Sequence, residues 1–412
     1  EKEANDFDIG RELGVDFIVT GNLRRGGERL RISAQLLNIK ENSIRWAQNF
    51  DEDFKDVLTL EDTVAEQITK AILPHLTGEE EKQLKKRGTD NTQAFEAYLR
   101  GRFYWNTFTE EGFAKALIYY NQAIAIAPDY ALAYAGIADY YNVLGIYAVM
   151  PFRETSAAAK EAALKAIERD ENLAEGYAAF GFAVLMHDFN WQKAEAYLRR
   201  AVELNPNFPT GRVWLSFFLG LKGEHEEALL HVRRAFQLDP LTPIVSHSVN
   251  LNLYFAGRFS EAVEATEKFI AREPRYAWAQ LFLSSMLWKT ERKADAINLA
   301  NRAITLLGRN SYTLIWLASA HAANGETEKA LKIINEIECD NSRRYCSPYL
   351  LAMIYANLSD KEKTLELLEK ALEESDGRLV WLGIDPQFDE FRSDARFRDI
   401  LKATNNPIYG AK

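Results

Sequence analysis

The 412-residue sequence has few of the features that mark nucleic-acid binding or membrane insertion. Its formal net charge is −10, whereas broad binding of nucleic acid or of an anionic membrane needs clustered Lys and Arg. This charge leads us to expect no nucleic-acid partner. No apolar run approaches the roughly 18 residues that a membrane helix needs, so we also expect no direct membrane insertion. The first residues, Glu1-Lys2-Glu3, do not have the pattern of a signal peptide.

Cysteine is almost absent, with one pair at Cys339 and Cys346. The two lie seven residues apart without a nearby histidine or third cysteine, which argues against a metal site. They flank a predicted loop between two helices, so a disulfide is geometrically possible, and two free thiols are equally compatible with the sequence. A bridge would imply an oxidising compartment.

Catalytic and cofactor-binding patterns are missing too. The six histidines are scattered, and none stands in a nucleophile–base–carboxylate pattern. His225 and His231 are six positions apart, which is the wrong spacing for two metal ligands on one helix face. Gly26-Gly27 is not followed by Lys-Ser or Lys-Thr, so it does not form a phosphate-binding loop. We therefore predict that the protein is not an enzyme and binds no metal or cofactor.

What the sequence does contain is a ladder of small residues at a spacing of 34. A second ladder follows seven residues behind the first, and Pro206, Pro240 and Pro274 mark helix ends at the same spacing. Self-similarity at this period is the signature of helix–turn–helix solenoid repeats. The physical reason is that only a small side chain fits where two antiparallel helices cross. The first ladder consists of Ala194, Ala228, Ala262, Ala296, Ala330 and Thr364.

Eight repeats can be aligned on this ladder, from about residue 93 to 376. The third is the fullest, with Tyr177, Phe180, Gly181, Ala194, Leu198, Ala201 and Pro206. This pattern resembles the tetratricopeptide-repeat (TPR) family. The resemblance implies a mainly α protein, a right-handed α-solenoid of about eight helical hairpins. Residues 77–92 are predicted as a charged helical linker before it, and residues 377–412 as capping helices and tail after it.

Residues 1–76 are predicted as a small α+β domain, with a short helix, three strands of alternating polarity and a closing helix. ELGVDFIVTGNLRRGGERLRISAQLLN at 12–38 and IRWAQNFD at 44–51 resemble part of the TolB-type amino-terminal domain of bacterial signalling proteins. Members of that family begin with an extra strand and helix, so the resemblance implies a partial domain here. Its sheet would have an open edge, which could support self-association.

An insertion distinguishes the second repeat, because 43 residues separate Ala116 from Ala159. The extra residues lie at about 145–154, and we expect them to fold back over neighbouring helices. This insertion, HDFNW at 187–191 and LNPNF at 204–208 resemble the repeats of some bacterial winged-helix regulators, kinases and cyclases. Those proteins often place this region beyond a membrane helix. The resemblance favours an extracytoplasmic location, in the periplasm or at the cell surface, over the cytoplasm.

The repeat register also selects apolar side chains that face the concave groove of a solenoid. Large aromatic side chains in such a surface are the usual anchors of a peptide or helix partner. An aromatic stripe at helical spacing is more often core, so core packing stays open as the alternative. The residues with which chaperone-binding relatives clamp a carboxylate are absent. The predicted peptide groove consists of Phe182, Leu185, Phe217, Leu221, Leu251, Tyr254, Leu281 and Trp288.

The sequence therefore predicts a non-catalytic protein–protein interaction scaffold, the sensor or docking region of a bacterial signalling protein. Two alternatives stay open. The first is a structural subunit that self-assembles by strand donation or by stacking of solenoids. The second is the regulatory part of an enzyme whose catalytic domain lies upstream.

Overall fold

The computed structural model describes residues 5–53, 57–72, 88–107, 109–287, 290, 292–338 and 345–410. Most of the predicted linker helix lies outside these residues. The chain divides into two compact units. The first comprises Glu1–Leu99 with Gln122–Tyr130, and the second comprises Arg100–Asn121 with Ala131–Lys412.

The first unit begins with helix α1, whose ends carry the expected caps. The Asn5 side chain accepts a hydrogen bond from the Phe7 amide, and Gly14 ends the helix with a positive φ of 66°. An antiparallel sheet of order β1-β2-β3 follows. The elements are α1 (Asp6–Leu13), β1 (Phe17–Gly26), β2 (Arg29–Asn38), β3 (Ser43–Asp53) and α2 (Val57–Ile72).

The core of the sheet lies between β2, β3 and α2. Leu30, Ala34 and Phe50 are buried on one face, and Leu60 of α2 packs against them. This arrangement follows from the period of two along each strand, which puts alternate side chains on one face. The sheet is therefore half-covered, with a helix on its apolar side.

Helical hairpins follow from residue 92 to residue 373. Their first helices are α3 (Thr92–Trp105), α5 (Ala131–Ile146), α7 (Ala174–Asp188), α9 (Pro209–Lys222), α11 (Pro243–Phe255), α13 (Ala277–Met286), α15 (Ser311–Ala323) and α17 (Pro348–Asn357). Their second helices are α4 (Glu110–Ile126), α6 (Phe152–Arg169), α8 (Trp191–Leu204), α10 (His225–Leu238), α12 (Phe259–Arg272), α14 (Lys293–Leu307), α16 (Thr327–Glu338) and α18 (Lys361–Glu373).

The alanine ladder sits where the sequence places it. Ala194, Ala262 and Ala330 are fully buried, and the Thr364 hydroxyl in the same series donates to the Asp360 backbone oxygen at 2.7 Å. The turns of several hairpins use the left-handed backbone region, as at Gly223 with a φ of 86°. The predicted fold class, a mainly α solenoid of TPR type with a small amino-terminal α+β domain, is confirmed.

Short helices close the carboxyl end of the second unit. They are η1 (Gly377–Trp381), η2 (Pro386–Phe391), α19 (Ala395–Ala403) and η3 (Pro407–Gly410). Phe388 and Phe397 are fully buried among them. The Trp191 indole at the start of α8 donates a 3.0 Å hydrogen bond to the Thr404 backbone oxygen. This segment therefore returns to the third hairpin instead of continuing the array.

Candidate functional site

The seven predicted groove residues that the structure describes lie on first helices of the hairpins, and the structure divides them into two groups. Phe182, Leu185 and Leu221 are fully buried. Phe217, Tyr254 and Leu281 are nearly buried, and Leu251 is half-buried. Trp288, the eighth predicted residue, lies outside the described residues. The two groups differ in whether their side chains reach an open space.

That space is a cavity of about 220 Å³ inside the second unit, which we call the inner hollow. Phe217, Leu251, Tyr254 and Leu281 line it, whereas the three fully buried residues pack elsewhere in the core. The wall comes from first helices of successive hairpins, because repetition puts equivalent faces side by side. The other aromatic residues of the wall are Tyr147, Trp214, Phe255, Trp278, Phe282, Tyr312, Trp316, Tyr349 and Trp381.

Sequence reasoning missed the aromatic cluster at one side of the hollow. The Tyr147 ring stacks on Trp278 with centroids 3.7 Å apart, and Trp278 meets Tyr312 edge-on at 5.3 Å. Tyr147 comes from the insertion between α5 and α6, so the insertion supplies part of the wall. In the sequence, the composition of the insertion was the one signal of this cluster, because no spacing rule connects the insertion with α13 and α15.

The carboxyl-terminal segment supplies another part of the wall. Trp381 of η1 contacts the Phe217 ring edge-on, with centroids 5.3 Å apart. Arg378 and Gln387 also line the hollow. The register of the repeats could not have indicated these residues, because they follow the last hairpin.

Two charged side chains of the hollow have hydrogen-bond partners within the chain. The Arg378 guanidinium donates to the Asp376 carboxylate at 3.2 Å and to the Gly145 backbone oxygen at 2.8 Å. Asp385 accepts a 3.0 Å hydrogen bond from the Tyr349 hydroxyl, and burial raises the pKa of this carboxyl. Arg378 therefore has a counterion, whereas Asp385 is held by hydrogen bonds from uncharged groups.

His247 is the other titratable group of interest in the wall. Its ring lies among aromatic rings, with centroids 5.9 Å from Phe269, 5.6 Å from Tyr276 and 5.2 Å from Phe282. Burial lowers the pKa of His247 to about 4, so the imidazole is neutral at physiological pH. Since this histidine has no carboxylate or nucleophile beside it in these contacts, the geometry suits binding better than acid–base catalysis.

Several residues of the wall carry a buried polar atom without a partner among the described residues. Among the described residues, none donates to Asn252 Oδ1 or Gln387 Oε1, and none pairs with Trp214 Nε1 or His247 Nδ1. The Asn252 amide Nδ2 is occupied, since it donates to the Ser248 backbone oxygen at 2.9 Å. An unpaired buried polar atom is costly, so each of these atoms lowers the stability of the fold.

The remaining predictions concern metals, membranes and disulfides. The part of the chain that the structure describes contains no group of three or more His, Cys, Asp or Glu side chains placed to hold a metal ion. Within that same part, every helix is too short or too polar to cross a bilayer. Cys339 lies outside the described residues, so its pairing with Cys346 stays a prediction.

The hairpins and the buried ladder define a helical-repeat protein of the tetratricopeptide type. No protein-family model matches the chain. A putative adenylate cyclase 3 of Rhizobium meliloti (strain 1021) is 29% identical over 129 residues, which is 31% of this chain and 22% of that protein. The chain thus spans about a fifth of the relative that it matches.

Solved structures of similar fold share little sequence with the chain. TTC0263, a thermophilic TPR protein of Thermus thermophilus, is 18% identical with a TM-score of 0.39, over 47% of this chain and 98% of its own. Yeast Tom70 is 14% identical with a TM-score of 0.46, over 76% of this chain and 68% of its own. A human IFIT1 dimer with PPP-AAAA is 14% identical with a TM-score of 0.47, over 87% of this chain and 92% of its own. Because these scores lie below 0.5, the repeat assignment rests on the hairpins of this chain.

Proposed function

We propose that this chain is a non-catalytic protein-interaction scaffold, the sensor or docking part of a larger bacterial signalling protein. The inner hollow carries this proposal, because it is a concave, aromatic-walled site. The partial similarity to a putative adenylate cyclase supports a regulatory position beside a catalytic domain. The TolB-type resemblance of residues 12–51 fits the same setting.

The partner in this proposal is a protein or peptide that inserts one side chain into the hollow. Phe217, Leu251, Tyr254 and Leu281 line the hollow and would contact that side chain. Phe182, Leu185 and Leu221 are buried in the core and would hold these four side chains in position. A concave pocket of this kind concentrates binding energy in one anchor residue, which is the usual distribution in protein interfaces.

Selection of peptides from a random displayed library tests this proposal. Ser285 is half-buried in the wall of the hollow, and a Ser285→Phe variant would fill the hollow without removing a core side chain. We expect selected peptides to share one anchor residue and to lose binding to Ser285→Phe. Ser260→Phe, on the exposed face of α12, is the matched control and should bind as the unmodified chain does. Peptides that bind both variants equally would place the partner elsewhere.

Self-association through the sheet edge remains the second candidate, and one observation favours it. Among the described residues, β1 pairs with β2 alone. Val19 and Leu23 of β1 are 52% and 64% exposed although their pairing partners, Leu36 and Ile32, lie on the helix-covered face. An edge strand with exposed apolar side chains can accept another strand.

The mass of the protein over a concentration series tests that candidate. If β1 accepts a strand from a second copy, the average mass should rise with concentration. A Leu23→Lys variant should suppress the rise, because an inward-pointing charge on an edge strand disfavours pairing. Leu306→Lys, at an exposed leucine of α14, is the control. A constant monomer mass at all concentrations would reject this candidate.

A further inference from the structure

The sheet of the first unit has an apolar face that α2 covers on one side only. Ile32 of β2 lies between Leu23 of β1 and Phe50 of β3, so these three side chains form one row across the face. Phe50 is buried in one cluster with Leu60 of α2, Ile32 is half-buried, and Leu23 is 64% exposed. The cover that the helix provides thus ends before it reaches β1.

A second row of the same face repeats this gradient. Val19 pairs with Leu36, which is fully buried, yet Val19 itself is 52% exposed. Gly21 stands between Val19 and Leu23 on the same face, because alternate residues of a strand share a face. Among the described strands, β1 has β2 as its one neighbour. The exposed apolar side chains therefore lie along an edge that is open in the described part of the chain.

Two identical edges can pair in two orientations, and one of them gathers these side chains. A two-fold axis perpendicular to the sheet makes the two β1 strands antiparallel and keeps the apolar faces of both copies on the same side. A two-fold axis along the strands makes them parallel and turns the apolar faces to opposite sides. Antiparallel pairing alone brings four exposed side chains together, namely Val19 and Leu23 of each copy.

The spacing of the two side chains selects the register. Val19 and Leu23 lie two positions on either side of Gly21. An axis through Gly21 places Val19 of each copy directly opposite Leu23 of the other, and directly opposite side chains are the closest cross-strand neighbours. A shift of the register by two residues would put Gly21 opposite Val19 or Leu23 and remove these contacts.

The charges along β1 favour the same orientation. Asp16 immediately precedes β1, whereas Arg24 and Arg25 lie near its other end. Antiparallel pairing brings the Asp16 end of each strand beside the arginine end of the other copy, so opposite charges approach. Parallel pairing would set the arginines of both copies side by side. Asp16 has an exposed partner in Lys40 at 2.7 Å, and such pairs are weak enough to rearrange.

We propose that two copies of this chain form a closed dimer by antiparallel pairing of their β1 strands, with Val19 of each copy opposite Leu23 of the other. This inference rests on the second candidate of the proposed function, self-association through the sheet edge, and gives it an orientation and a register. Because the same edge is used twice, both β1 edges are consumed and the assembly stops at two copies.

Sedimentation equilibrium over a concentration series tests the dimer and its orientation. The average mass should rise from that of one chain and level off at that of two. Asp16→Arg should weaken dimerisation about tenfold, because attraction at two symmetric contacts becomes repulsion. The double variant Asp16→Arg/Arg24→Asp should recover the affinity. Glu264→Arg, at an exposed position of α12, makes the same change in charge as a control, and equal dimerisation of Asp16→Arg and this control would overturn the orientation.

Thiol cross-linking tests the register. Val19→Cys and Leu23→Cys are made separately in a chain that carries Cys339→Ala and Cys346→Ala. A reagent that spans about 5 Å, the distance between directly opposite Cβ atoms, should link a mixture of the two variants. It should not link either variant alone, since equivalent thiols would be four residues, about 13 Å, apart along the strands. Equal linking in the single-variant samples would overturn the register.

The outcomes separate this inference from the proposed function. A constant single-chain mass would overturn the dimer and self-association together, and it would leave the peptide scaffold standing. A mass that continues to rise beyond two chains would overturn the closed dimer and support self-association in another arrangement. A mass that levels off at two chains, together with links in the mixed sample alone, would support the dimer whatever the peptide selection yields.

Discussion

Arg378 Nη2 donates a 2.8 Å hydrogen bond to the backbone oxygen of Gly145, 233 positions earlier in the chain. The same guanidinium lies over the Phe152 ring, 5.1 Å from its centroid. It also pairs with Asp376, whose carboxylate is completely buried and accepts a hydrogen bond from Ser347. One buried cation thus joins the carboxyl-terminal segment to the second hairpin.

Replacing this cation should destabilise the second unit. In an Arg378→Met variant the Asp376 carboxylate would stay buried without its counterion. We expect the free energy of unfolding to fall by about 3–5 kcal/mol, since removal of one partner of a buried pair leaves an uncompensated charge. Urea unfolding followed by circular dichroism measures this change.

Two further variants make the test of Arg378 specific. The double variant Arg378→Met/Asp376→Asn should recover part of the loss, because the unpaired charge is then removed. Arg200→Met breaks an exposed pair with Glu203 and should cost less than about 1 kcal/mol. Equal losses from Arg378→Met and Arg200→Met would show that the buried pair adds nothing.

Helix crossings should tolerate enlargement poorly. Ala262 is fully buried at the crossing of α11 and α12, so Ala262→Leu forces the helices apart. The expected loss is about 1–3 kcal/mol of unfolding free energy. Ala271→Leu, at an exposed position of the same helix, should change stability by less than about 0.5 kcal/mol. Thermal or urea unfolding of both variants distinguishes crowding from a general effect of leucine.

The buried His247 should make the protein less stable in mild acid. Burial lowers the pKa of His247 to about 4 in the folded protein, while the unfolded value is about 6.5. The unfolded state therefore binds more protons between these values, and stability falls as the pH drops from about 6.5 to 4. The expected contribution is about 3 kcal/mol. His247→Phe should lack this part of the pH dependence, and identical pH profiles for the two proteins would contradict it.

Asp139 should have the opposite effect. Burial raises the pKa of Asp139 to about 7, although Arg102 at 3.9 Å partly opposes this shift. The folded protein binds the extra proton between about pH 3.8 and 7, so stability from this group is lost as the pH rises through 7. Relative to the unmodified protein, Asp139→Asn should gain about 4 kcal/mol between pH 4 and pH 8. Parallel curves from urea unfolding at both pH values would reject this assignment.

Local features of the fold were predictable because they depend on neighbours in sequence. The 34-residue spacing predicted the crossings, as the burial of Ala194 and Ala330 shows. Gly14 and Gly223 predicted helix ends, since both adopt the left-handed backbone region that glycine favours. Alternation in β2 predicted a half-buried strand, and Leu30 and Ala34 lie on its covered face.

The site was predictable only in part. Register placed Phe217, Leu251, Tyr254 and Leu281 toward one interior, and they line the hollow. The repeat register could not separate these four residues from Phe182, whose ring packs against Trp214 with centroids 4.3 Å apart. Whether an inward side chain meets a space or another ring depends on the neighbouring hairpin, which a single repeat does not contain.

The sequence by itself determined the hairpins, their number and the inward face of each first helix, because 34-residue periodicity acts between adjacent elements. Only the tertiary structure decided that this face surrounds a hollow. Tyr147, Arg378 and Trp381 enter its wall from segments outside the repeat pattern. Contacts such as Arg378 with Gly145 join positions 233 residues apart, and no local spacing encodes them. The ladder therefore specifies the scaffold, and the long-range contacts specify the site.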